Sequence, residues 1–309
     1  MIRILLILSF FPSCLWAQDI HFTQWMHNPL YSNPAASGFF DGEYRIHAQQ
    51  RSQWGSVSVP FTSTSLGMDM SLKGVGLGGQ LLLDNAGTSS LNTTQFNLTG
   101  AYQLGTWRGG LQLGFAQRSI DYSNLLFPDG NESFASESKS FLDVGVGFLK
   151  TIEVSFDKSL ELGMAHFHLN KPNTSFTENA DKLPMRHQLQ ANLYWQLSDY
   201  WLLQPHLMFQ QQAKSRELIL GTTTQYDVSE FYQRNIKLIS GAIFRWGDAA
   251  SILLGAQIEN THIALSYDWN VSDLVPASNG LGAWEISFTH IIQQQIPKRP
   301  GYKVCPIYL

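Results

Sequence analysis

Apolar and polar positions alternate one by one along most of this chain. Leu111, Leu113 and Phe115 alternate with Gln112, Gly114 and Ala116. Phe96, Leu98 and Tyr102 alternate with Gln95, Asn97, Thr99 and Gln103. Leu189, Ala191, Leu193 and Trp195 alternate with Gln188, Gln190, Asn192 and Tyr194. Successive side chains of a strand point to opposite faces, so each segment has one apolar and one wet face. The pattern predicts strands at Arg45–Trp54, Thr62–Leu72, Val75–Leu83, Thr93–Leu104, Gly109–Ile120, Leu142–Lys150, Ile152–Asp157 and Leu160–His168. It continues at Arg186–Leu197, Trp201–Gln211, Glu217–Gln225, Ile236–Trp246, Ser251–Glu259, His262–Asn270 and Trp284–Ile292. Single-chain bacterial barrels have an even number of strands, so about 14 are expected, with one short segment serving as a turn or loop piece.

Connection lengths suggest two ends. Leu72–Gly74, Gly105–Arg108, Ser198–Tyr200, Gly247–Ala250 and Asn260–Thr261 are tight and suit periplasmic turns. Asp121–Phe141, Leu169–Met185, Tyr226–Asn235 and Val271–Ala283 are long and polar and suit extracellular loops.

The first residues change the picture from a soluble β-fold to an exported one. Arg3 precedes an apolar run, Ile4 to Phe11, and Leu15-Trp16-Ala17 offers a cleavage site before Gln18, so residues 1–17 read as a signal peptide. The run is too short for a spanning helix, which needs about 20 residues. Phe11-Pro12-Ser13 before Cys14 is a poor lipobox. Export plus alternation points to an antiparallel transmembrane β-barrel, integral to an outer membrane.

Composition agrees. Charged residues are 14% of the 309, against roughly 25% in ordinary globular proteins. Aromatics are 13% and glycines number 25, which suits lipid-facing girdles and small inward residues. The net charge of −4 becomes −5 once Arg3 is removed (−4 − 1) and gives no reason to expect nucleic acid as a partner. Only Cys14 and Cys305 are present, so the processed chain has one cysteine and neither an internal disulfide nor a cysteine metal site.

Residues 18–42 stand apart from the barrel, expected at 43–292. Asn28, Pro29, Tyr31, Asn33 and Pro34 lie in a non-repetitive block whose X-Pro steps disfavour regular helix and suggest an ordered extended segment. It reads either as a plug closing the periplasmic mouth or as a docking surface for periplasmic partner proteins. The tail, 293–309, carries Pro297, Pro300 and Pro306, cannot complete a ladder, and is expected on the periplasmic side. Cys305 and Pro306 there are further docking candidates.

These segments resemble the PorP/SprF family of Bacteroidetes membrane proteins. The resemblance rests on QDIHFTQWMHNPLYSNPAASG (residues 18–38), Arg51, Gln53 and Trp54, FTSTSLGMDMSL (61–72) and AHFHLNKPNTSF (165–176). It continues through LLQPHLMF (202–209), SYDWNVSDLVPASNGLGAWEISFTH (266–290) and VCPIYL (304–309). It implies an outer-membrane barrel associated with the type IX secretion system, and with gliding motility in gliding hosts. Implied partners are other secretion components and large adhesins with type B C-terminal sorting domains. It implies no catalytic residue and no cofactor.

Other chemistry is thin. Lipid-facing arginine costs about 2–4 kcal/mol near mid-bilayer, so Arg51, Arg118, Arg186 and Arg245 are expected to face the lumen. Paired with Asp143, Glu161 or Glu259 they would form a charge network. His166 and His168, two apart, would share one strand face, but no cysteine or carboxylate sits nearby to complete a metal site. No G-x-S-x-G elbow or other positioned nucleophile is evident, so no enzyme is expected. Gly78-Gly79 and Gly109-Gly110 lack a following helix and are read as relieving crowding in strands rather than holding phosphate. The competing reading of the whole chain is a general porin or small-solute channel.

Overall fold

The computed structural model describes residues 19–55, 59–87, 91–121, 136–177, 181–232, 234–272 and 275–293. The expected signal peptide, Cys305 and Pro306 lie outside them. Among the described residues, fourteen strands close into one antiparallel barrel. They are β1 (Tyr44–Gln53), β2 (Phe61–Leu72), β3 (Val75–Ala86), β4 (Leu91–Leu104), β5 (Trp107–Ile120), β6 (Glu137–Ser155) and β7 (Lys158–Phe167). Then follow β8 (Arg186–Gln196), β9 (Trp201–Gln212), β10 (Ser215–Asp227), β11 (Ile236–Arg245), β12 (Ala249–Ile258), β13 (Thr261–Asn270) and β14 (Leu281–Ile292). Each pairs with its chain neighbours, and β14 closes on β1 with Arg51 opposite Glu285.

The number is the expected one, for a different reason. The segments 142–150 and 152–157 are not a strand and a loop piece. They are two parts of the single long β6, whose pairing with β7 continues across Thr151 and slips only between Glu153 and Ser155.

Strict up-and-down order fixes which connection lies at which end. The chain enters β1 and leaves β14 at the end carrying connections 73–74, 105–106, 156–157, 197–200, 228–235 and 259–260. The opposite end carries 54–60, 87–90, 121–136, 168–185, 213–214, 246–248 and 271–280. Periplasmic connections are the shorter set in outer-membrane barrels, so the first is the periplasmic end. Two expectations are corrected. The tight Gly247–Ala250 connection is at the loop end, and the long 226–235 connection is at the periplasmic end. Strand parity, not loop length, decides the side. The latter holds a one-turn helix, Ser229–Tyr232, whose Ser229 N–H donates to Asp227 Oδ1 at 2.8 Å.

The pleat sorts the side chains. On β2, Leu66 and Met68 face outward while Ser65, Gly67 and Asp69 are buried. Outward aromatics ring both rims, with Tyr102, Trp107 and Trp201 at the periplasmic end and Trp246, Trp269 and Trp284 at the loop end. A 10-residue strand rises roughly 33 Å, and at about 40° of tilt it spans the apolar band of about 25 Å. The interior is not uniformly polar. On β9 to β13, Met208, Ile219, Ile239, Ile243, Leu253 and Ala264 point inward and pack around Trp25. Those strands carry apolar residues on both faces, beside inward His206, Thr223, Arg245 and Asp268, and the rest of the inner wall is mostly polar and charged, with Leu82 and Leu149 among its apolar residues.

Candidate functional site

Residues 19–43 run through the lumen from the loop end to the periplasmic end. Asp19 accepts from Gln212, at the loop end of β9, and the Glu43 N–H donates to the Ile292 carbonyl at the periplasmic rim. The segment is not the extended cap expected from its prolines. It folds into one-turn helices at Trp25–His27, Pro29–Ser32 and Pro34–Ala36, with Pro29 and Pro34 each at a first helical position, where a missing N–H is not needed.

Three anchors hold it. The first joins β1, β13 and β14 near the loop end. The Thr23 and Gln24 N–H groups donate to the two oxygens of Glu285 at 2.9 and 2.8 Å. Arg51 bonds Glu285 at 3.0 Å and Asp268 at 2.7 Å. The Thr23 hydroxyl donates to Asp268 and accepts from Arg51 and Arg245. Arg245 also meets Glu217 at 2.9 Å and Asp248 at 2.8 Å, and Glu217 meets His21 at 2.9 Å. Charges buried this deeply persist only when paired and hydrogen-bonded, and here the main chain of the segment supplies part of the bonding.

The second anchor is at the periplasmic end. Arg45 grips Asp69 bidentately, at 3.0 and 2.6 Å, and donates to the Ala36 carbonyl. The Gly38 N–H donates to the same Asp69. The Arg108 guanidinium stacks 3.0 Å from the Phe39 ring and bonds Glu161 at 2.9 Å. Between the anchors the wall is cut away by glycine. A Cβ at Gly76 would lie 1.8 Å from the Ser37 oxygen, and one at Gly110 would lie 2.4 Å from the Ala35 nitrogen. Asn33 exploits this approach, with its amide donating to the Phe148 and Met164 carbonyls while its oxygen accepts from the Ala35 N–H.

The third anchor is at the loop end. His168 bonds Asp143 at 2.9 Å and Asp19 at 2.7 Å. Arg186 lies 3.4 Å from Asp19, stacks on Tyr31 and Phe167, and donates to the Tyr31 hydroxyl, which in turn donates to the Ile20 carbonyl. Burial disfavours the charged form of His168, yet Asp19 and Asp143 outweigh it and raise its pKa to about 9. Burial would raise Asp19, but His168 and Arg186 hold it well below the usual carboxylate range.

The candidate residues thus separate. Asn28, Pro29, Tyr31, Asn33 and Pro34 all lie in the lumen, with Asn28 accepting from Gln80 at 2.8 Å. Arg51, Arg186 and Arg245 join ion-pair clusters, but with partners other than those expected. Asp143 pairs with His168, and Glu161 with Arg108. Arg118 faces the lumen without a hydrogen bond or ion pair to any described residue. Glu259 is corrected, since it stands exposed in the β12–β13 turn with a left-handed backbone (φ 52°), outside the lumen. The shared face of His166 and His168 is corrected too. His166 faces outward against His187, at 2.6 Å, whereas His168 lies past the strand end at φ 58° and turns inward. Among the described residues, no group of three or more metal-ligating side chains comes together.

Sequence reasoning missed Asp19, Thr23, Arg45, Asp69, Glu217, Asp268 and Glu285. Parity carried a usable signal for several of them. Glu285 alternates with Trp284 and Ile286, and Asp69 with Met68 and Met70, which places each acid on the inner face.

No curated protein matches the chain. Among solved structures it is similar to the toluene transporter TbuX of Ralstonia pickettii, with 11% identity, 85% of this chain, 93% of that one and a TM-score of 0.53. It is similar also to the toluene transporter TodX of Pseudomonas putida, with 9% identity, 84% and 91% coverage and a TM-score of 0.51. The monoaromatic hydrocarbon channel CymD compares at 11% identity, 87% and 93% coverage and a TM-score of 0.52. At such identities the likeness is one of fold, that of outer-membrane barrels. Over residues 15–290 the sequence matches the family described as type IX secretion system membrane protein PorP/SprF. An integral outer-membrane barrel with its own chain through the lumen, this protein belongs to the PorP/SprF family of the type IX secretion system.

Proposed function

We propose that the protein acts as a plugged, non-catalytic scaffold of the secretion system, using no cofactor and supporting secretion or surface anchoring of a large protein. The cargo class is adhesins with type B C-terminal sorting domains, with a role in gliding where the host glides. Its other partners are secretion components in the periplasm and outer membrane. The carrying observation is that residues 19–43 occupy the lumen and are bonded to the wall at three levels. A lumen so filled neither conducts a folded adhesin nor needs to. Recognition falls instead to the loops, to exposed parts of the N-terminal segment and to the tail carrying Cys305 and Pro306.

The competing reading is a small-solute channel, encouraged by the fold it shares with barrels named as hydrocarbon channels and transporters. The buried ion pairs of the segment argue against it. Deleting the gene and comparing surface and medium proteomes by mass spectrometry separates the two. Loss of one or a few large surface proteins supports a cargo-specific partner, and collapse of the whole secretome supports a core component. An unchanged secretome would refute the scaffold reading.

A further inference from the structure

The lumen is not filled everywhere. At the loop end, between the start of the N-terminal segment and the inner wall of β3 to β6, lies a cavity of about 80 Å³. That is roughly half the ~150 Å³ that admits a benzene ring, so it suits a group of a few heavy atoms rather than a whole ligand. Its apolar walls are Ile20, Leu82, Phe141 and Leu183. Four charged groups on its rim, Asp19, Asp143, His168 and Arg186, satisfy one another. Asp84, Gln95, Asn97 and Thr174 are hydrogen-bonded too, but two lining groups are not satisfied. Gln112 is 3% exposed, its Oε1 has no hydrogen-bond partner, and it lines the cavity. Arg118 lines it as well, and its guanidinium bonds to no described residue.

Register sharpens the charge pattern. Arg118 pairs across the ladder with Thr93 on one side and Lys139 on the other, and Thr93 pairs with Asp84. All four face the lumen. Lys139 likewise has no ion pair to a described residue. Asp84 accepts from Ser63 at 2.6 Å and stands two strand spacings from Arg118, about 9.5 Å of backbone separation. Two neighbouring cations therefore face one acid that is already hydrogen-bonded, across a gap floored by a threonine hydroxyl. Arginine's planar fork matches a carboxylate in both geometry and charge.

We propose that this cavity binds a carboxylate carried on a short apolar stem. The carboxylate sits on Arg118 with Thr93 beside it, and the stem lies against Ile20, Leu82 and Phe141. The inference goes beyond the scaffold reading and does not depend on it. Two sources offer this chemistry, a small free acid and the carboxylate of a protein chain.

The test is titration of the full-length barrel in detergent micelles, by calorimetry and ligand-observed NMR. The probes are propionate, propionamide, and a short apolar peptide with either a free or an amidated C-terminus. Saturable binding of propionate, at least tenfold weaker for propionamide, is expected. If the free-acid peptide competes and its amide does not, chain carboxylates are included; if only propionate binds, the ligand is a small acid. Arg118→Gln should lose at least tenfold, Arg118→Lys should keep the charge but not the fork and lose less than Arg118→Gln, and Asp84→Asn should tighten binding severalfold by removing the opposing acid. Failure of both acids to saturate, equal binding of propionamide, or an unchanged Arg118→Gln variant would overturn the proposal.

Discussion

At the residue scale, the lumen charges divide into those that anchor the N-terminal segment and those, such as Arg118, that make no ion pair to a described residue. Arg51 bonds two buried carboxylates, Glu285, which also accepts from the Thr23 and Gln24 N–H groups, and Asp268, which accepts from the Thr23 hydroxyl. Removing one partner of such a cluster strands the others, at a cost of about 3–5 kcal/mol. Arg51→Leu should therefore destabilise the barrel by that amount in guanidinium unfolding in lipid. Arg118→Leu should change stability by no more than ~0.5 kcal/mol, as expected for a side chain outside such networks. Equal effects at the two positions would contradict the assignment of Arg51 as an anchor. His168 gives a second test. Its raised pKa means that its pairing with Asp19 and Asp143 stabilises fully below the ordinary value of 6.5 and is lost as pH rises through about 9. Asp19, held below its ordinary 3.8, contributes above that value and loses its contribution only in stronger acid. The loop-end anchor is thus strongest from about pH 4 to 6.5 and fails on the alkaline side. Histidine NMR should place the His168 midpoint near 9, and a midpoint at or below 6.5 would show that the anchor does not form.

At the scale of elements, the glycine-lined groove is what lets the segment lie against the wall. A valine at Gly76 or Gly110 would collide with main-chain atoms of Ser37 or Ala35, whereas a Cβ at Gly79 meets nothing nearer than 3.9 Å. Gly76→Val or Gly110→Val should dislodge the segment and give conductance in planar bilayers. Deletion of residues 20–40 should do so more strongly, and Gly79→Ala should stay closed. A silent deletion variant would mean that the segment is not the plug. The sequence already carried the strands, because a period of two survives wherever one face meets lipid and the other a polar lumen. It held even at β10 to β12, expected at Glu217–Gln225, Ile236–Trp246 and Ser251–Glu259, although their inner residues Ile219, Ile243 and Leu253 are as apolar as their outer neighbours because they cover Trp25. It misjudged 18–42 because Pro29 and Pro34 read as helix breakers in isolation, yet each begins a helical turn. The inward acids were legible by parity. Their partners were not, because Arg51 meets Glu285 only once β14 closes on β1, more than 230 residues away in the chain.

For the whole molecule, sidedness connects these parts to function. Fourteen strands return the chain to the end at which it entered, so both described termini of the barrel proper share the short-turn end. The N-terminal segment nevertheless begins at the opposite end, beside His168 and Arg186, and descends through the lumen to reach β1. With the short-turn end at the periplasm, Asp19 and the loop-end cavity face the cell exterior, and the second anchor, with Arg45 and Asp69, faces the periplasm. Labelling decides this. In a Cys305→Ser background, an exposed loop-end cysteine, Thr177→Cys, should react with a membrane-impermeant maleimide on intact cells. An exposed turn cysteine, Lys73→Cys, should react only after the outer membrane is opened. The reverse pattern would invert the molecule. The cavity and the pH-sensitive anchor would then belong to the periplasm, and the Arg45–Asp69 end would face the cell exterior.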